Sequence, residues 1–504
     1  MGIIYALLIL TALIMVHELG HFIAAKIFGV QILEFAIGMG PKIFSVKRKG
    51  IDYRINIFPI GGYVRLAGED VSGIEDTSVE KDKLLYEKPA WQRLMISLAG
   101  PLASILTGYF IMILTFGIWG VYPVKVERVV ENSPAQRAEI EKGDIIYSVN
   151  GKRVFDSNEF SKAVNTYDVL EIEVLRNSRK LLISVSPEQT PDEVEIVLDV
   201  EALSGEIQGK VKTINNVKPS VELFKQLPDL KGQYVKLELL NGTVEGKLLS
   251  AIYIPPRKTV GIYFSSISPI VQKGFGEFKT GDVILSVNGY KINDGVDFSR
   301  ILGLLDSNSK KPLLIHISGD EVFYHIHSEF GELVNVVVER DGNLINLSFK
   351  RDELLDIFEN KIMFKSPVKA MREGIFEVIR DGIIRTNRII VQMGEILAML
   401  FTGRLGLNSL SGPIGVVAFV GNVSKLGFEP ILFLTVIITL NLGMINLIPL
   451  PALDGGRIVF ALLEMITRKK LDPSIESYIH FVGFMLLMAL MVYITYVDIV
   501  RLIG

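Results

Sequence analysis

Apart from His17, Glu18, His21 and Lys26, residues 1–28 are uncharged and apolar all round, with no polar face. Residues 94–121, 427–448 and 479–497 repeat that pattern. Crossing a bilayer takes about 20 residues, so four transmembrane helices are predicted. The first run has no basic start, and no small-x-small site precedes the charged region; it is expected to be retained rather than removed as a signal peptide. Lys and Arg crowd the stretch between the first two spans, from Lys42 and Lys47 to Lys88 and Arg93, and Arg457, Arg468, Lys469 and Lys470 fill the turn between the last two. Both loops are therefore expected to be cytoplasmic, with the amino terminus, the central region and the carboxyl terminus on the other side.

Elsewhere the period changes. Ile51-Asp52-Tyr53-Arg54-Ile55-Asn56-Ile57 alternates apolar and polar, Phe58-Pro59-Ile60-Gly61-Gly62-Tyr63-Val64 follows, and Gly38-Met39-Gly40-Pro41 breaks the strand-like stretch before them. A hairpin within 29–92 follows. It is either re-entrant where protein buries it or a small cytoplasmic hairpin. In the central region Gly143-Asp144-Ile145-Ile146-Tyr147-Ser148-Val149-Asn150-Gly151 recurs as Gly281-Asp282-Val283-Ile284-Leu285-Ser286-Val287-Asn288-Gly289. Each copy is a strand ending in an Asn-Gly turn, then a short helix, then paired strands. The signature resembles PDZ domains, which bind extended peptide by strand addition, and places them at 122–205 and 257–352. Residues 206–256 repeat the order without Gly-Asp, either as a degenerate third unit or as an insertion belonging to its neighbours. His325 and His327 are read as ordinary surface residues of one strand face.

From 366 to 401, Met371, Ile375, Val378, Ile379 and Ile383 alternate at helical spacing with Lys369, Glu373, Glu377, Arg380 and Arg385. Within 353–426 this predicts an amphipathic helix on the membrane surface, not a fifth crossing. Composition agrees: 49% of residues are hydrophobic, 22% charged, and mean hydropathy is +0.38, as for spans joined to soluble domains. The net charge of −3 and the lack of a basic tract give no argument for nucleic acid. With no cysteine in the chain, a bound zinc ion would use His, Asp or Glu.

Candidate chemistry lies in the spans. Positions i and i+4 share a helix face, so His17 and His21 can hold one zinc ion, with Glu18 as general base toward a water there. The bland reading, polar groups on a surface helix, conflicts with the apolar surroundings, where ionisable groups are expensive. The third span, within 427–456, closes with Asn441-Leu442-Gly443-Met444-Ile445-Asn446-Leu447-Ile448-Pro449-Leu450-Pro451-Ala452-Leu453-Asp454-Gly455-Gly456. Its prolines and Asn446 break the helix. Asp454 falls at the cytoplasmic end, where the two histidines also fall, which favours a third ligand over a helix cap.

These motifs together resemble the site-2 protease family of intramembrane metalloproteases. The hairpin, the PDZ-like modules and Leu410-Ser411-Gly412-Pro413-Ile414-Gly415 narrow the likeness to its bacterial members, over essentially the whole chain. The resemblance implies a polytopic α-helical membrane protein with four transmembrane helices, a membrane-associated β-hairpin, and inserted periplasmic PDZ-like α+β domains. It would sit in the bacterial inner membrane with the active site near the cytoplasmic side. It implies one Zn2+ per chain held by His17, His21 and Asp454, with Glu18 as the acid/base. Asn441, Asn446, Pro449 and Pro451 would hold substrate, and the strand around Gly61, Gly62 and Tyr63 would pair with its unwound backbone. Implied partners are the lipid bilayer and single-pass transmembrane proteins already shortened by another protease, such as an anti-sigma factor, or remnant signal peptides. The PDZ-like domains would meet a bound peptide or the substrate ectodomain. One departure stands out: members commonly carry Ala-Gly-Pro-x-x-Asn, and here the run is Ala99-Gly100-Pro101-Leu102-Ala103-Ser104. It touches a supporting hydrogen bond, not the metal.

Two other classes remain open on residues alone. A membrane metal transporter would line several spans with polar groups, whereas here they concentrate in two motifs. A catalytically inactive PDZ-bearing scaffold would not need His17, Glu18, His21 and Asp454 intact.

Overall fold

The computed structural model describes residues 2–69, 79–265, 267–307, 309–366, 368, 370–406, 412–424, 427–470 and 472–503. Lys369, Leu410 and Ser411 lie outside them. The chain forms two compact units, one of residues 1–120 and 372–504 and one of residues 121–371.

The first unit is helical apart from one hairpin. Its helices are α1 (Gly2–Ile27), α2 (Ala90–Trp119), α3 (Ile375–Phe401), α4 (Pro413–Val423), α5 (Phe428–Asn446), α6 (Asp454–Thr467) and α7 (Pro473–Ile503). Among the described residues, four helices are long and apolar enough to cross a membrane, at Ala6–Ile27, Ala90–Trp119, Phe428–Asn446 and Ser474–Val500. These are the four spans expected from the hydrophobic pattern. In lipid, helices associate through close packing rather than apolar burial, so small residues mark the contacts. A Cβ at Gly20 would fall 2.3 Å from Ala99 O, which is how closely α1 meets α2. The amphipathic segment forms α3, which packs on α2 where Gly382 meets Ile113.

The hairpin consists of β1 (Ile32–Arg48) and β2 (Ile51–Leu66) and folds over on itself. Phe35 lies opposite Val64 on one side and Tyr53 on the other, while Phe44 lies opposite Ile55. The first half of β1 thus runs between the two halves of β2, and residues 62–66 form an edge. That edge runs along α1: Thr11 Oγ1 donates to Pro59 O at 2.7 Å, Gly61 faces Ile14, and Gly62 faces Met15. The hairpin therefore reaches the middle of the first span. Its Ile43, Phe44, Ile57 and Phe58 side chains are exposed, a surface suited to lipid rather than water. Of the two placements left open by the sequence, this favours the re-entrant one.

The second unit contains two PDZ-like modules and a barrel. In the first module the strands Val124–Lys125, Ile145–Val149, Leu170–Arg176 and Arg179–Val185 form one sheet packed on the helix Ser157–Thr166 through Phe160 and Val164. Asp156 caps that helix by accepting from Glu159 N, and Glu159 Oε2 accepts from Phe155 N, the residue before the cap, so the first turn is fastened from both sides. The repeated Gly-Asp now has a reason. Asp144 takes two hydrogen bonds from Arg176, at 2.7 Å each, and Asp282 takes the same pair from Arg340. Each carboxylate ties the turn to the third strand through a bidentate pair.

Residues 206–256 do not form a unit of their own. Strands Glu193–Gly205, Gly242–Ile254, Tyr234–Leu239, Gly209–Ile214, Glu321–His327 and Pro312–Ser318 close a six-stranded barrel in that order. Its core includes Ile196, Leu198, Leu237, Val244, Ile315 and Ile317. The boundaries drawn at 122–205 and 257–352 cut through it, because strands from both flanks complete it. The first module is then closed by Ile262–Tyr263, which pairs with Arg128–Val129, and the last by Met363–Phe364 on Val271–Lys273. Alternation reveals a strand but not which sheet it joins. His325 and His327 are half-buried barrel residues rather than surface ones.

Candidate metal centre

His17 and His21 project from the last turns of α1 toward the first residue of α6. His17 Nε2 lies 3.1 Å from Asp454 Oδ2, His21 Nε2 lies 3.3 Å from the same oxygen, and the two Nε2 atoms are 3.3 Å apart. Four-coordinate zinc with nitrogen and oxygen ligands at about 2.0–2.1 Å places those atoms about 3.3 Å from one another. The triangle fits the ion.

Each imidazole is steered from its other nitrogen. His21 Nδ1 donates to Ile96 O at 2.8 Å, and His17 Nδ1 sits 3.1 Å from Ser104 Oγ. Such partners fix ring orientation and leave Nε2 to the metal. Ser104 thus makes the supporting contact at the position where the family commonly has asparagine. Gly100 leaves the room His21 needs, since a Cβ there would fall 2.1 Å from Nε2. The Ala-Gly-Pro run of α2 is the back wall of the site.

Glu18 lines the same cavity of about 310 Å³, together with His17, His21, Tyr63, Asn446 and Asp454. Its Oε2 accepts from the backbone N–H of Val64 at 2.9 Å, so the candidate base rests against the edge of β2. Asn446 Nδ2 is 3.3 Å from His17 Nε2. Gly61 and Gly62 lie along the preceding turn of α1. Asn441 and Pro449 are exposed, Pro451 packs against Gly483, and these three do not line the cavity.

The structure adds residues that no motif marked. Glu69 and Arg457 form an ion pair at the cavity wall, and the Glu69 charge holds the Arg457 guanidinium above its ordinary value despite burial. Val64 contributes only a backbone group, which sequence cannot flag. A charged pair separated by 388 positions likewise leaves no local signal.

Comparison with known proteins points the same way. Residues 5–490 match peptidase family M50. A Thermotoga maritima protein is 38% identical over 100% of both chains. The zinc metalloprotease RasP of Geobacillus kaustophilus is 26% identical over 99% of this chain and 97% of its own. The regulator of sigma E protease of Haemophilus influenzae is 26% identical over 98% and 97%.

Proposed function

Because the chain belongs to peptidase family M50 and is a membrane zinc metalloprotease, we propose that it cuts a peptide bond within or beside the transmembrane segment of single-pass membrane proteins. The observation that carries this is the meeting of Glu18, the His17–His21–Asp454 triangle and a strand edge in one cavity inside the first span.

His17, His21 and Asp454 would hold the zinc ion. When bound, it polarises the scissile carbonyl and makes water acidic enough to lose a proton near neutral pH. Glu18 takes that proton and passes it to the leaving amine. A transmembrane helix keeps its carbonyls bonded internally, so it must be unwound before it can be cut. The edge around Gly62, Tyr63 and Val64 supplies replacement hydrogen bonds by strand addition. Asn446, beside His17, borders the path of the bound peptide.

The basic loops favour an orientation in a bacterial inner membrane in which the hairpin enters from the cytoplasmic side and the turn before α7 faces the cytoplasm, with the PDZ-like modules on the other side. There the modules would meet the substrate ectodomain and favour substrates already shortened by another protease. The relative named as a regulator of sigma E protease supports an anti-sigma factor as one such substrate.

The test pairs two variants of purified protein with cleavage of a co-expressed single-pass protein. Glu18→Gln should keep its zinc and lose cleavage, and Asp454→Ala should lose both. Full zinc content and full cleavage in Asp454→Ala would remove that residue from the site.

A further inference from the structure

His480 stands on α7, 28 positions beyond Ala452 and outside every motif. Its Nδ1 accepts the backbone N–H of Ala452 at 2.9 Å. Ala452 has φ +74°, a left-handed conformation in which a Cβ crowds the backbone, so something must hold it there. Asp454, the first residue of α6, follows two positions later.

Other contacts fasten the same turn to the same helix. A Cβ at Gly483 would fall 2.4 Å from Pro451 Cβ and 2.8 Å from its carbonyl oxygen, so Pro451 lies directly on α7. A Cβ at Gly456 would fall 3.2 Å from His480 Cε1. The Phe460 ring meets the imidazole edge-on, centroids 5.6 Å apart. An imidazole accepting at Nδ1 carries its proton on Nε2. That atom is buried and without a partner among the described residues. His480 also lines a cavity of about 350 Å³ with Arg93, Arg457 and Glu476. Among the described residues, its one direct hydrogen bond to protein is spent on the turn.

We infer that His480 is a positioning residue: by holding Ala452 it sets the turn that presents the Asp454 carboxylate to His17 and His21. The last span thereby takes part in metal binding without offering a ligand. This rests on the assignment of Asp454 as a ligand.

The test is zinc affinity of the purified full-length protein, measured by competition with a chelator. His480→Leu should weaken binding by about 10- to 100-fold, the usual cost of losing a group that orients a ligand. His480→Asn places a carbonyl oxygen where Nδ1 was and should retain most of the affinity. His480→Gln sets its carbonyl one carbon further out and should behave like leucine, which keeps the test alive if the leucine variant does not fold. Adding Ala452→Gly to either weak variant relieves the left-handed strain and should recover part of the loss. Equal affinities in His480→Asn and His480→Gln, or no recovery with Ala452→Gly, would reduce His480 to a packing residue and overturn the inference. Wild-type affinity in Asp454→Ala would instead overturn the ligand assignment beneath it, so the two failures are distinguishable.

Discussion

Val64 donates its backbone N–H to the Glu18 carboxylate across 2.9 Å, so the proposed general base and the edge that would receive substrate share one hydrogen bond. Hydrogen bonds to charged groups contribute about 1.5–3 kcal/mol. Val64→Pro removes the donor at an edge, where proline is tolerated. Cleavage should fall about 10- to 100-fold with zinc content unchanged, while Val64→Ala should stay close to wild type. Full activity in the proline variant would separate the base from the strand.

Ser104 offers a second handle. With Oγ 3.1 Å from His17 Nδ1, it holds one candidate ligand ring in place. Ser104→Ala should weaken zinc binding about 10-fold, and Ser104→Asn should preserve it by presenting the side chain common in the family. A zinc titration on purified protein decides between them, and an alanine variant with undiminished affinity would show that the ring needs no such partner.

Orientation can be read with thiols, because the chain has no native cysteine. Cysteines placed singly at the exposed Ser157 and Ser474 lie in the first PDZ-like module and at the first residue of the last span. An impermeant maleimide added to intact cells should label position 157 and spare 474. A cysteine at Ser72, outside the described residues, should be spared as well. Labelling at 474 or 72 would reverse the topology.

In the barrel, His316 is buried between Glu193 and Glu195, its ring nitrogens 3.6 and 3.7 Å from their carboxylates. Tyr324 stacks on the ring and donates to Glu195, and Arg300 lies over Tyr324. Burial alone would lower the histidine's pKa, but the two carboxylates outweigh it and raise it above 6.5. A raised folded-state pKa contributes stability in full below the unfolded value, and that stability is lost as pH rises through the folded one. Hydrogen exchange of residues 312–318 should therefore speed up from mildly acidic to alkaline pH beyond its intrinsic pH dependence. His316→Gln should flatten that excess, and an unchanged pH profile in the variant would refute the coupling.

The candidate metal triangle was legible because its chemistry is written in side chains at helical spacing. His17 and His21 needed only the i, i+4 rule, and Asp454 only its place at the end of a broken span. What stayed hidden acts through the backbone or from afar. Val64 offers an N–H that any residue would carry. Glu69 finds Arg457 only after α1, α2 and α6 have packed. His480 reads as one more polar residue on an apolar helix until Ala452 is seen in its left-handed conformation. The modules show the same divide. Gly143-Asp144 and Gly281-Asp282 announced two similar folds, but the strand around His316 gave no sign that its partner was Glu193–Asp199 rather than a neighbour in the last module.

That pairing sets an order of events. Glu193 lies opposite Ser318 across 125 positions of chain, so the first barrel strand leaves the ribosome long before its neighbour exists. Closing so large a loop costs entropy before any contact repays it, and folding through distant pairs is slow. Meanwhile residues 258–263 are made earlier and can pair with Glu188–Gln189 and Arg128–Val129 of the first module. The first module can thus mature while the barrel waits open, its apolar strand faces exposed to chaperones and proteases. Only when the 312–327 hairpin emerges can the barrel shut, and a chain truncated before it would leave the first module folded beside an unsealed barrel.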